Sequence, residues 1–160
     1  MICSLLLLLI VNISSSLGNL VQFSNSTEHI LCRHCGKEVS TSDSIIFKPS
    51  DEFLYAFNDT LYNRNDVFVQ ILLKDILFKF PIVTSSNSTC ISEGEWEDNL
   101  WFPEYLWKPC FCECGTLVGF VFESIGKLNG DPEVFYGLIL TQLIGEQFTD
   151  SILTFPSSNL

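Results

Sequence analysis

Cys32 and Cys35, in the run CRHCG, have the spacing of a thiolate pair on a metal ion. Two intervening residues let both sulfurs reach one ion, and the Gly that follows permits the tight turn. A matching Cys-Gly ending closes CFCECG, residues 110–115, about 75 residues further along. Two such knuckles would draw distant hairpins together around one Zn²⁺ held by four thiolates at about 2.3 Å. A regular second CxxC pair would need a cysteine at position 111, which is Phe111. The second pair is therefore Cys112/Cys114 or Cys110/Cys114, and Cys90 bridges whichever of Cys110 and Cys112 is left over. The cysteine count fits this arithmetic: there are seven, of which Cys3 falls in an N-terminal leader, leaving an even six. We carry forward Cys32, Cys35, Cys112 and Cys114 as ligands of a structural zinc and Cys90–Cys110 as a disulfide. Three disulfides with no metal is the competing arrangement in an oxidising compartment. His29 and His34 are read as surface polar residues. The sequence shows no catalytic triad, phosphate-binding loop, paired catalytic carboxylates or basic nucleic-acid patch.

Directly before the second cysteine group stands DNLWFPEYLWKP, with Trp101 and Trp107 six residues apart. Flat aromatic rings at this density either fill a core or wall a pocket. The elements that must position them read as short strands. Residues 44–48 and 53–57 are strand candidates, the second stopped by the turn-prone Asn58-Asp59 pair. The β-branched and aromatic run from Asp66 to Val83 suggests two strands, 67–73 and 76–83, joined at Lys74-Asp75. Residues 84–99 are rich in Ser, Asn, Gly and acidic side chains and read as a loop. Residues 117–122 form a strand with Gly119 at a point of close approach, 125–132 a turn region, and 133–145 a strand or short helix. The fold class is mostly β, with residues 28–146 as one domain and 147–160 as a flexible tail.

Charge narrows the partners. Eight Lys and Arg stand against 19 Asp and Glu, a net charge of −11, so nucleic acid and anionic membrane surfaces are excluded as expected partners. The N-terminal MICSLLLLLIVNISSSLG has the apolar run and small-residue zone of a secretory signal peptide, here 1–18. The run is too short to span a bilayer, which takes about 20 apolar residues. After cleavage no stable membrane association is expected, and the product is expected to be secreted. Three sequons, at Asn25, Asn58 and Asn87, accompany it. We take Asn25 and Asn87 as glycosylation sites.

Read in order, WFPEYLW, the cysteine pair, G-x-x-x-G-F-x-F and FYGL resemble the cereblon-type CULT (thalidomide-binding) domain family, with the upstream CxxC at Cys32 and Cys35 also matching. The resemblance spans roughly residues 30–143 and is weakest over 40–90. It implies a β-tent, two antiparallel sheets pinned by a structural zinc, and an aromatic cage for a small ligand with a polar ring. Carried over by position, the cage falls on Trp101, Trp107 and Phe120, with Phe122 beside it and Asn58 and Asn99 at the pocket. Phe120 stands where the family has a third tryptophan, which implies weaker binding or a different ligand. Backbone groups next to Trp101 would meet an imide or uracil-like edge. The implied ligands are cyclic imides or uridine-like rings. Ubiquitin-ligase assembly is not expected, because the resemblance does not extend to the large upstream region through which cereblon joins a ubiquitin ligase. Two other classes compete: a redox enzyme like the methionine sulfoxide reductases, for which Cys90 is the isolated thiol, and a structural or protein-interaction module with buried tryptophans.

Overall fold

The computed structural model describes residues 26–74, 78–98, 101–126 and 130–153. The expected signal peptide, Asn25, Asn99 and the last seven residues lie outside them. The described strands are β1 (His29–Cys32), β2 (Glu38–Thr41), β3 (Ile45–Ile46), β4 (Phe53–Leu61), β5 (Arg64–Lys74), β6 (Phe78–Ser85), β7 (Ile91–Ser92), β8 (Glu97–Asp98), β9 (Tyr105–Phe111), β10 (Leu117–Ser124), β11 (Val134–Ile139) and β12 (Leu143–Gly145). They are followed by one helix, α1 (Glu146–Leu153). The protein is mostly β, as expected. The strands form two antiparallel sheets: a small one in the order β12-β1-β2, and a large one in the order β4-β5-β6-β11-β10-β9-β7, with β3 added to β6 and β8 to β9.

Alternation along the strands, interrupted in β10 by a bulge at Val118 between Leu117 and Gly119, divides the apolar residues between two faces. On one face of the large sheet, Val67, Val69, Val83, Val118 and Leu138 pack against Ile30, Val39 and Leu143 of the small sheet. On the other, Leu72, Ile82, Phe120, Phe122, Phe135 and Ile139 pack beneath Trp101, Phe102, Tyr105 and Trp107. The segment WFPEY thus acts as the cover of the second face, and β9 begins only at Tyr105. Gly119 lets β10 and β11 come together: a Cβ there would meet the Gly137 carbonyl oxygen at 2.5 Å. The β4–β5 hairpin turns on Tyr62 and Asn63, both left-handed (φ 52° and 56°). That is the two-residue turn whose twist suits a hairpin.

Four sequence expectations change. The strand from Phe53 does not stop at Asn58-Asp59, because both pair with β5 and β4 runs on to Leu61. Residues 84–99 are not all loop: β6 runs on through Thr84 and Ser85, both fully buried. Their hydroxyls lose no hydrogen bonds there, because Thr84 Oγ1 donates to Ile46 O at 2.7 Å and Ser85 Oγ lies 3.0 Å from Ser40 Oγ. Residues 133–145 are neither one strand nor a helix. A 3₁₀ turn over Leu140–Gln142 splits them into β11 of the large sheet and β12 of the small one. Finally, residues 147–153, read as flexible tail, belong to α1. The helix is tied down by a long-range partner that local sequence does not reveal: Gln147 N donates to Glu28 Oε1 at 3.2 Å.

Candidate metal centre and aromatic site

Each cysteine pair sits in a tight turn at a strand end. In the first, Cys32 N donates to Lys37 O (2.7 Å) and Gly36 N donates back to Cys32 O (2.8 Å). In the second, Cys112 N donates to Thr116 O and Gly115 N to Cys112 O, both at 2.8 Å. The second turn is the same device shortened by one residue, which is how CxC replaces CxxC. Gly36 and Gly115 hold φ of 74° and 83°, values that any residue with a Cβ adopts at a cost.

The turns bring Cys32, Cys35, Cys112 and Cys114 together, with all four sulfurs within 4.8 Å of one another. Cys32 Sγ lies 3.8 Å from Cys114 Sγ, and Cys35 Sγ 3.5 Å from Cys112 Sγ. A tetrahedron of sulfurs about 2.3 Å from a central ion has edges of about 3.8 Å, so the donor set fits a metal ion. Cys32 and Cys112 are buried, Cys35 and Cys114 exposed, which closes the inner side and leaves a route in from solvent. Burial pushes the Cys112 thiol up to about 12, while hydrogen bonding from the Thr116 hydroxyl and backbone brings Cys114 down to about 6. A cation binding here must displace thiol protons, so its affinity falls as pH falls. The Lys37 ammonium and the Glu113 carboxylate form an ion pair between the two turns.

Cys90 is bonded to Cys110, with Cα atoms 5.5 Å apart. This resolves the alternatives left by sequence: Cys110 belongs to the bridge and Cys112 to the cluster. The bond pins β7 to β9 where Ser92 pairs with Cys110.

On the other face of the large sheet, Trp101, Trp107 and Phe120 touch one another. Their ring centroids are 5.7 Å (Trp101–Trp107), 5.5 Å (Trp101–Phe120) and 5.2 Å (Trp107–Phe120) apart. Phe80 adds an edge to Phe120 at 5.3 Å. Trp101 and Trp107 are each only 6% exposed and Phe120 2%. Both indole N–H groups are occupied: Trp101 Nε1 donates to Leu73 O (2.8 Å) and Trp107 Nε1 to Asp98 O (3.2 Å). The Trp101 carbonyl is also engaged, accepting from Ser50 Oγ at 2.6 Å and Asp51 N at 3.0 Å. Buried Gln70 supports this contact, accepting from Ser50 N and donating to Lys48 O. Lys74 Nζ lies 4.4 Å from the Trp107 ring centroid, a cation–π contact.

The remaining sequence-predicted residues are placed as follows. Phe122 is fully buried and stacks on Phe135 and against Phe102, next to the trio rather than in it. Asn58 is exposed on β4 opposite Phe68. It lies five residues from Phe53, which sits opposite Leu72 of the aromatic face; that is about 17 Å along the strand. The structure does not bring Asn58 to the trio. Asn87 is exposed in the turn after β6, with its backbone carbonyl held by Ser40 and Ser85. Sequence reasoning missed Lys74, Phe80 and Gln70. Their partners come from other strands, and nothing local to them signals the contact.

Together the fold and these centres define a mostly β protein of two antiparallel sheets carrying a four-thiol cluster suited to a metal ion. Compared with protein-family models and with curated proteins, the chain gives no match.

Proposed function

We propose that this protein is a secreted, zinc-stabilised binding module whose aromatic site takes a small ring with a polar edge, such as a cyclic imide or a uridine-like ring. The observation that carries the reading is the mutual contact of Trp101, Trp107 and Phe120. Three rings from separate positions converge on one point of the sheet that the cysteine cluster also anchors through β9 and β10. Zinc is the ion favoured by four thiolates in tetrahedral array. The metal has a structural role in this reading, and the rings supply flat apolar walls. Calorimetric titration of the metal-loaded protein with glutarimide and with uridine tests it. Saturable heat that is lost in Trp107→Ala supports the reading, and no heat from either compound at millimolar concentration removes these ligand classes.

A second reading is favoured by the burial of the rings and the occupation of both indole donors. Here the trio is a packed core and the protein is a structural or protein-interaction module. For a ligand to enter, the end of β5 must move, because Leu73 and Lys74 hold Trp101 and Trp107. Acrylamide quenching separates the two: ligand-dependent protection of the tryptophans supports a site, and complete protection without ligand supports a core.

A further inference from the structure

The β4–β5 turn, β1, β12 and α1 border a cleft of about 390 Å³. None of its lining residues belongs to the four-thiol cluster or to the aromatic trio. Its walls are largely apolar, with Leu61, Tyr62, Leu140 and Phe148 among them. Into this cleft projects a carboxylate. Glu28 is only 5% exposed, yet it lines the cleft. Its Oε1 accepts from Gln147 N and packs so closely on β12 that a Cβ on Gly145 would fall 2.2 Å from it. Its other oxygen accepts no hydrogen bond from the described residues. No fully buried side-chain oxygen among them lacks a partner, so this oxygen keeps some accessible surface, and Glu28 is one of the residues that line the cleft.

The charged groups around it are Arg33 and Glu146. The Arg33 guanidinium spends Nε and Nη2 on Leu143 O, at 3.3 and 3.1 Å, rather than on the carboxylate. Glu146 adds repulsion. Glu28, Glu146 and Arg33 sum to one negative charge. Burial, with that repulsion, raises the Glu28 carboxyl above its ordinary value, as expected of a carboxylate short of a partner. We propose that the cleft binds a small organic ammonium ion. Its N–H donates to the free Glu28 oxygen, and its apolar body lies against Leu61, Tyr62, Leu140 and Phe148. A buried carboxylate gains most from a partner that is both charged and hydrogen-bonding, and one monovalent cation neutralises the site.

The inference stands apart from the aromatic site and is tested without it. The purified protein is titrated with benzylammonium chloride at pH 7 and followed by backbone amide NMR shifts. Neutral benzyl alcohol and anionic phenylacetate serve as size-matched controls. Benzylammonium is expected to give saturable shifts at Tyr62, Leu143 and Gln147, with affinity roughly tenfold above the alcohol, and phenylacetate to give none. Glu28→Gln keeps an acceptor for Gln147 N and removes the charge, so it should erase the roughly tenfold preference. Arg33→Gln, at an exposed position, should strengthen ammonium binding. The proposal is overturned if benzylammonium gives no saturable shifts, if alcohol and ammonium bind equally, or if folded Glu28→Gln binds unchanged. Should Glu28→Gln fail to fold, unchanged or weaker binding in Arg33→Gln overturns it.

Discussion

Replacing both bridge cysteines, Cys90→Ala with Cys110→Ala, measures how much of this protein's order depends on one covalent link. The bond joins residues 20 apart in sequence. Cutting it frees a loop of that length in the unfolded chain, worth about 3 kcal/mol in the chain-entropy treatment. Cys110 is fully buried, so Ala there also leaves a small cavity, adding about 1 kcal/mol. The expected loss is thus about 4 kcal/mol, a large part of a domain's usual 5–15 kcal/mol or so. Equilibrium urea unfolding of the metal-loaded protein is the assay. With a slope of about 2 kcal/mol/M, the midpoint should fall by about 2 M. The double substitution is preferable to a single one, because a lone thiol at 110 would stand two residues from the cluster ligand Cys112. The freed loop carries β8 and Trp101, and its Asp98 O holds the Trp107 indole. Tryptophan quenching should therefore rise along with the loss of stability. A loss below about 1 kcal/mol, with an unchanged slope, would refute the loop-closure reasoning. It would mean that β7 and β9 hold the segment without the bond.

Native mass spectrometry should find one metal ion per chain, and Cys112→Ser should lose it while the Cys90–Cys110 double substitution retains it; the reverse outcome would reassign the ligands. Gly119→Ala should destabilise by about 3 kcal/mol or more, because the new Cβ meets the Gly137 backbone oxygen; thermal unfolding checks this, and a shift of under one degree would contradict it. Glu28 has a raised carboxyl, so its protonated form is favoured by folding. Its contribution is fully present below the unfolded value of 4.5 and is lost as pH rises through the higher folded value. The stability of wild type relative to Glu28→Gln should accordingly improve as pH falls through that window, and a difference independent of pH would show that the carboxyl is not perturbed. Lys74→Met removes the ammonium from the Trp107 face at a cost of about 0.5–1 kcal/mol and should shift the tryptophan emission, and an unchanged spectrum would place the ammonium elsewhere in solution.

Local pattern was enough for several features because their physics is local. β-branched and aromatic runs made β5, β6 and β10 legible to within a few residues. The Cys-Gly endings marked two turns whose hydrogen bonds close within five residues. That Cys32, Cys35 and Cys114 belong to one set could be read from spacing and count. Spacing alone left Cys110 and Cys112 interchangeable, since they lie only two residues apart in the chain. The tertiary structure separates them through the register of β9, which places Cys110 against β7 and carries Cys112 into the turn. Thr84 and Ser85 looked like loop because hydroxyls are costly to bury, but partners on β2 and β3 satisfy them. Residues 133–145 looked continuous, yet the two sheets divide them, since only a 3₁₀ turn lets one segment serve both. The aromatic residues show the same boundary. The resemblance to the CULT family marked Trp101, Trp107 and Phe120 as rings that belong together. That they touch, that the Leu73 and Asp98 carbonyls accept hydrogen bonds from the two indole N–H groups, and that Asn58 lies far along β4 follow from contacts set by the packing of the strands. Composition sets what each residue can do; only the packing of the whole chain decides which partner it meets.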